Sequence, residues 1–498
     1  MMLFVDNRRN KTVAPVLDSW KFSALTFGNM ENSLAERDKQ VIWHPYTSQK
    51  YAPDPIPIVK GDGVYLFDTN GKSYIDAISS WWVNLHGHAH PYIAKKIYEQ
   101  AKTLEHVIFA GFTHEPAVQL AEKILNILPG NFSKVFYSDN GSTAVEVAIK
   151  MAIQYWWNSG FGSQESGVRS QESEVRNQNS DLGTKNSELR TQNPELRTQH
   201  SRNKIVALKG AYHGDTFGAM SVSERGIFTL PFEDRLFEVI FIDPFNLDHA
   251  IEEFSGTMRL EEIACFIYEP LLQAAGGMKM HEPKSLGRLL NAFQQHGIVC
   301  IADEVMTGFG RTGKLFASEY MEHKPEIICL SKGLTGGTMA LGVTACSERI
   351  YHAFLTEDKL KTFFHGHSYT ANPLACTAGL ASLELLQEKT CVENISRIEA
   401  QHQKFIKHLE ERNSLNVPTP VLTRNYRQLG TVMAFEIETN EKDGYLNDIS
   451  RSFTKKALSK GVFLRPLGNT VYIMPPFCIT ESQLELIYET IIEILNAA

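Results

Sequence analysis

This chain has no cysteine pair of the CxxC kind, no excess of basic charge and no apolar run that approaches the length of a membrane span. Each absence removes a class of function. The seven cysteines, Cys265, Cys300, Cys329, Cys346, Cys376, Cys391 and Cys478, are scattered, odd in number and set mostly within apolar runs. That distribution suits reduced, buried thiols and argues against a disulfide framework or a cysteine metal site. A net charge of −8 leaves no broad basic surface, which argues against nucleic acid as a partner. The opening stretch MMLFVDNRRNKTVAPVLDSW lacks the continuous apolar core of a signal peptide, so a cytoplasmic protein without a membrane partner is expected. No string has the GxxxxGK[ST] form of a nucleotide-binding phosphate loop.

What is there starts with size. With 498 residues and 43 % hydrophobic content the chain can bury one large core and a smaller one, and it predicts two or three domains. Strand and helix signals alternate. KVFYSD (134–139), KIVALKG (204–210), ACFIYEP (264–270), IVCIADE (298–304) and IICLSKG (327–333) read as strands. GSTAVEVAIKMAIQYWW and PKSLGRLLNAFQQHG read as helices between them. Strands that are apolar throughout predict a mainly parallel sheet covered by helices on both faces, an α/β fold. The C-terminal third differs: two helical stretches, short strands TVMAFEIE, VFLRP and TVYIMPP, then a helix from Thr480 with a Thr480/Gln483 capping box and an apolar face of Leu484, Ile487, Ile491 and Leu495. This predicts a smaller α+β domain. From Ser163 a seven-residue unit repeats (SQESGVR, SQESEVR, NQNSDLG, TKNSELR, TQNPELR). Each copy has a single Val or Leu where a coiled-coil seam needs two apolar positions, so residues 161–202 read as a polar, low-complexity surface insertion.

Sites in parallel sheets gather at the carboxyl ends of strands. Asp139, Glu269, Asp303 and Lys332 all fall at such ends. A lone lysine and an acid on one rim suit a pyridine aldehyde: Lys332 would hold it as an imine and Asp303 would keep the ring nitrogen protonated. Glu304 could equally be the acid, since strand alternation sends Asp303 and Glu304 to opposite faces and only one can address the ring. SDNGSTAVEVA puts Gly141, Ser142 and Thr143 where a strand turns into a helix, which is an anion site or an ordinary N-cap. Tyr212 in GAYHGDT has small neighbours that would let its ring lie flat on a cofactor. Of Trp81 and Trp82 in SSWW, one indole is left to line a substrate site. Arg465 follows an apolar strand and needs an anionic partner, a protein or a substrate carboxylate. The dense HGHAH (86–90) is read as a flexible loop, and no metal is expected.

At these residues the chain resembles the class III, fold type I aminotransferases that depend on pyridoxal 5′-phosphate, from about Val41 to the end apart from the insertion. The strings carrying the resemblance are WHPYTS, SSWWVNLHGHAHP, SDNGSTAVEVAIKMA, AYHGDTFGAMSV, EPLLQAAGGMKM, IADEVMTGFGRTGKLFA, SKGLTGGTMAL and RPLGNTVYIMPP. Within that class, WHPYTS and SSWW are similar to the branch in biotin biosynthesis that moves the amino group of S-adenosylmethionine to 8-amino-7-oxononanoate. The alternative is a class III aminotransferase with lysine or an ω-amino acid as donor.

The resemblance implies a large domain with a seven-stranded type of sheet over 86–375, interrupted by 161–202. It implies a small domain from 41–85 and 376–498, and an extension over 1–40. It further implies catalytic roles for Lys332, Asp303 and Tyr212, and a cofactor site of Gly141, Ser142, Tyr212, Asp303, Lys332 and Ser368, with Asp215 and Glu269 in the supporting polar shell. The substrate site would be Tyr46, Trp81, Trp82, Gly366 and Arg465. Ser368, with Gly366 nearby, would complete the phosphate site of a neighbouring copy, so a homodimer with shared sites is expected. In FFHGHSYTANP (363–373) His367-Ser368 stands where the family has proline and threonine.

Overall fold

The computed structural model describes residues 33–160, 202–257, 260–414 and 421–497. The heptad insertion, apart from Arg202, and the first thirty-two residues lie outside the described residues. Two compact units are present. The first holds the described residues up to Val59 together with Asp68–Gly71. Its helix Leu34–Val41 opens on a capping box in which Ser33 and Glu36 each accept from the other's backbone N–H, satisfying two donors that the first turn leaves without partners. In the same unit His44 Nε2 lies 2.6 Å from Asp38, and Lys39 pairs with Asp54.

The second unit takes the rest of the described chain and is organised by a seven-stranded sheet. Its strands run side by side as Phe132–Ser138, Gly342–Ser347, Ile327–Leu330, Val299–Asp303, Ile263–Tyr268, Lys204–Leu208 and Ile240–Ile242. All neighbours are parallel except Gly342–Ser347, which is antiparallel to both of its partners. The predicted strands are present; Gly342–Ser347 and Ile240–Ile242 are additions.

Apolar strands bury both faces because alternate side chains enter two different cores. Val299, Ile301, Ile327 and Cys329 pack with Ala144, Val145, Ala148 and Ile149 of the helix Gly141–Gly160. Cys300, Ala302, Ile328 and Leu330 join the other core, with the helix Pro283–Gln295. That helix offers Leu286, Leu289, Leu290 and Phe293 on one face, and each contributes about 2 kcal/mol by leaving water. Truncating Leu289 to alanine would cost about 2–5 kcal/mol.

Six of the seven cysteines are buried and free, and Cys478 is exposed. Toward the C-terminus, Thr423–Leu429, Val432–Ile437 and Thr470–Ile473 form an antiparallel sheet. The helix Glu481–Asn496 starts on the Thr480/Gln483 capping box and buries Leu484, Ile487, Ile491 and Leu495. Among the described residues no helix is long and apolar enough to cross a membrane.

One local expectation is corrected, and it adjoins a kinked helical hook at SSWW, Ser79–Trp82, with positive φ at Ser79, Ser80 and Trp82. Asp76 imposes that shape: its buried carboxylate accepts from Ile78 N, Ser80 N and Ser80 Oγ. HGHAH is pinned, not flexible. His86 Nε2 meets Ser382 Oγ at 3.0 Å, His88 Nε2 meets Asp76 at 2.9 Å, and Gly87 N donates to Asn84. Among the described residues no cluster of His, Cys, Asp or Glu is arranged to hold a metal.

Candidate active site

Just past the carboxyl ends of the parallel strands lies a cavity of about 690 Å³, lined among others by Lys332, Asp303, Glu269, Tyr212, Asp215, Gly141, Ser142 and Trp82. The strands stop at Ser138, Tyr268, Asp303 and Leu330, so their last residues and the turns that follow supply the lining.

Asp303 closes its strand on the face of Val299 and Ile301. Its Oδ1 accepts from Val305 N at 3.0 Å, and its Oδ2 lies 2.7 Å from Nδ1 of the buried His213. His213 is held in turn by its own N–H on Ser223 Oγ. Its Nε2 is buried without a hydrogen-bond partner among the described residues. Glu304, the competing acid, turns to the other face and is spent on structure: its carboxylate accepts from Thr307 Oγ1, Ala317 N and Ser318 N.

Glu269 follows the strand Ile263–Tyr268 and uses both oxygens on backbone, accepting from Tyr212 N and Ala274 N at 3.0 Å each. Burial pushes its carboxyl up to about 7, against the opposing pull of His213 and with a further push from the charge of Asp303.

Lys332 opens the tight turn Lys332–Thr335 with φ 47, a left-handed conformation that costs a non-glycine residue of order 1–3 kcal/mol. The glycines after it let the turn close: a Cβ on Gly337 would lie 2.9 Å from the backbone of Val83. Burial lowers the pKa of the amine, while Asp303 and Glu269 partly restore it. Its Nζ sits 4.7 Å over the ring of Trp82, whose Nε1 donates to Tyr472 Oη at 3.0 Å. Burial thus makes the free amine more accessible than on a solvated lysine, which suits a nucleophile that also carries protons.

Gly141 begins a twenty-residue helix, whose first N–H groups and positive dipole end face the cavity. A Cβ on Gly141 would meet Val305 Cγ1 at 2.6 Å. Ser142 Oγ accepts from Thr216 N at 3.0 Å and lies 2.8 Å from Thr216 Oγ1, so two hydroxyls converge at this helix end. Asp139, just before it, pairs at 3.4 Å with Nδ1 of His367, the departure from the family pattern. His367 Nε2 is 3.1 Å from His365 Nε2, and His365 Nδ1 is 2.8 Å from Lys150 Nζ.

The remaining candidates lie elsewhere. Trp81 is exposed on the outer side of the hook, with the Arg465 guanidinium 4.8 Å over its ring, and among the described residues Arg465 has no carboxylate partner. Gly366 and Ser368 are exposed on the segment after Phe363 and do not line this cavity. Tyr46 belongs to the other compact unit, where it has φ 50 and is 39 % exposed. Sequence reasoning did not single out His213, Thr216 or Val305. His213 sits beside Tyr212 in AYHGDTFGAMSV, but nothing local shows its pairing with an acid ninety positions later.

The class-III aminotransferase family model matches residues 46–495. Over 466 residues the chain is 43 % identical to the adenosylmethionine-8-amino-7-oxononanoate aminotransferase of Synechococcus elongatus, covering 91 % of this chain and 98 % of that protein. The crystal structure of the same-named enzyme from Methanocaldococcus jannaschii superposes with TM-score 0.79 at 33 % identity, covering 92 % of this chain and 98 % of that one. An amine transaminase from an uncultivated Pseudomonas species, in its PLP-bound form, superposes with TM-score 0.77 at 26 % identity over 92 % of this chain and 98 % of its own.

Proposed function

The chain belongs to the class-III aminotransferases, and from that premise we propose that it moves the amino group of S-adenosylmethionine to 8-amino-7-oxononanoate, giving 7,8-diaminononanoate, a step of biotin biosynthesis. It is a pyridoxal-phosphate-dependent enzyme by family. Its residues fit that cofactor on three counts: a half-buried lysine amine lining the cavity, a buried acid backed by an imidazole, and a glycine-started helix end too close to Val305 for a side chain. When bound, pyridoxal 5′-phosphate supplies an electron-withdrawing ring that stabilises the charge released as the donor carbon loses its proton.

The protein's own groups do the rest. Lys332 would hold the cofactor's aldehyde carbon and, once displaced by the donor amine, carry the proton away from the donor carbon. Asp303, steadied by His213, would hold a proton on the ring nitrogen. Gly141 and Ser142 would bind the phosphate, and Tyr212 would cover a face of the ring. Trp82, Trp81 and Arg465 would form the substrate site, with the Arg465 guanidinium meeting the carboxylate of the oxo acid; Tyr46 is a substrate-binding candidate by resemblance. Gly366 and Ser368, exposed and away from their own cavity, would complete the site of a second copy in a homodimer. We place this enzyme in the cytoplasm.

The observation that carries the reading is the meeting of Lys332, Asp303 and the Gly141 helix end in one cavity of a chain so similar to the Synechococcus elongatus protein. The test is donor specificity. Purified protein with 8-amino-7-oxononanoate should form the diamine from S-adenosylmethionine. Transfer from lysine or an ω-amino acid, with none from S-adenosylmethionine, would overturn the donor.

A further inference from the structure

A nucleoside sulfonium and a linear oxo acid must each bring one carbon to the same lysine, yet only the first carries a bulky aromatic base. The structure offers separate room for it. A second cavity of about 600 Å³ shares Tyr212, Gly214, Asp215 and Ala275 with the first as a common wall. Beyond that wall runs a row of aromatic rings. Phe228 lies 6.1 Å from Tyr212, and Tyr445 lies 4.9 Å from Phe228 at an interplanar angle of 75°. Two rings at such an angle present one face and one edge to a third flat group, which is a favoured packing for a heterocycle.

Tyr445 is placed by more than Phe228. Its loop is tied down by Gly444 N on Asn469 Oδ1 at 3.0 Å and by Asn447 Nδ2 on Thr439 Oγ1 at 2.7 Å. The lining carries both signs, with Arg225, Lys279 and Lys442 among four carboxylates; of these, Asp215 lies on the common wall, and Glu224 has one oxygen that accepts from Gly210 N at 2.9 Å.

We infer that this second cavity receives the adenosyl half of the donor, with the purine against Phe228 and Tyr445 and the sulfonium at the common wall, beside the Asp215 carboxylate and the Tyr212 ring. The inference rests on the donor reading above and adds where that donor's specificity is decided. Cations favour aromatic faces and carboxylates together, and the oxo acid, which has no base to stack, does not need this cavity.

The probe is 5′-methylthioadenosine, which has the adenosyl group but no amine to transfer. Its binding to the cofactor-loaded enzyme is measured by titration calorimetry, beside the two half-reactions followed separately by absorbance. Phe228→Ala and Tyr445→Ala should each weaken the probe roughly tenfold, the usual loss when one base-stacking ring is removed. They should weaken the half-reaction with S-adenosylmethionine by a similar factor and leave that with 7,8-diaminononanoate within about twofold. Tyr445→Phe keeps the ring and should bind as the unmodified protein does, which separates stacking from a folding defect. Unchanged probe binding in both alanine variants of an enzyme that does use S-adenosylmethionine overturns the cavity assignment alone; equal losses in both half-reactions do the same. An unmodified enzyme that takes its amino group from lysine and not from S-adenosylmethionine overturns the donor reading, and the cavity assignment with it.

Discussion

Nδ1 of His213 lies 2.7 Å from Oδ2 of Asp303, and both side chains are buried at the edge of the cavity that Lys332 enters. A carboxylate can only accept, so Nδ1 carries the proton and the imidazole fixes the direction in which Asp303 points. The second carboxylate oxygen is fixed by Val305 N.

Asp303→Asn keeps the shape of the site and removes the charge. It should lower kcat by at least about hundredfold, the usual loss when one preorganised electrostatic partner is removed. His213→Asn leaves the acid in place but less well held, and should cost about tenfold to hundredfold. Steady-state kinetics of the two variants check both, and an Asp303→Asn enzyme within tenfold of normal would contradict the role given to the acid.

Glu269 ties stability to pH. Its carboxyl, pushed up to about 7 by burial, binds a proton more readily in the folded chain than in the unfolded one. Between the ordinary glutamate value and about 7 the folded state therefore holds more protons, and stability falls as pH rises, by on the order of 3 kcal/mol. Glu269→Gln should flatten that fall. Denaturant midpoints at about pH 5 and about pH 8 for both proteins measure it; parallel curves would show that Glu269 is not the titrating group.

Gly214 lies at φ +131, and a Cβ there would collide with the Ser142 side chain. Gly214→Ala should push Ser142 away from the helix end and weaken pyridoxal 5′-phosphate binding about tenfold, the size of one charge-assisted hydrogen bond. Cofactor titration of the stripped protein tests this. A normal dissociation constant would remove Ser142 from the phosphate site.

Much of this architecture was legible because buried parallel strands declare themselves as unbroken apolar runs, and chemistry placed at their ends is then visible as a polar residue after the run. Asp303 after IVCIA and Lys332 after IICL are of that kind. Gly342–Ser347 was missed because GVTACS is short and rich in small residues, and Ile240–Ile242 because three residues show no pattern. The hook at Ser79–Trp82 was hidden for a different reason. It has no glycine, and besides the nearby Asp76 carboxylate on Ser80 its positive φ angles are supported by bonds to the distant Met474 and Tyr472, which no local propensity reveals. HGHAH looked mobile because Gly87 suggests freedom, while its anchors Asp76 and Ser382 are remote in the chain.

The most direct test of the central claim is to reduce the purified, cofactor-loaded protein with borohydride and map the peptides by mass. One pyridoxyl phosphate adduct on Lys332 is the predicted result, with none in a Lys332→Ala variant that remains folded and inactive. An adduct on a different lysine, or a Lys332→Ala enzyme with normal turnover, would contradict it.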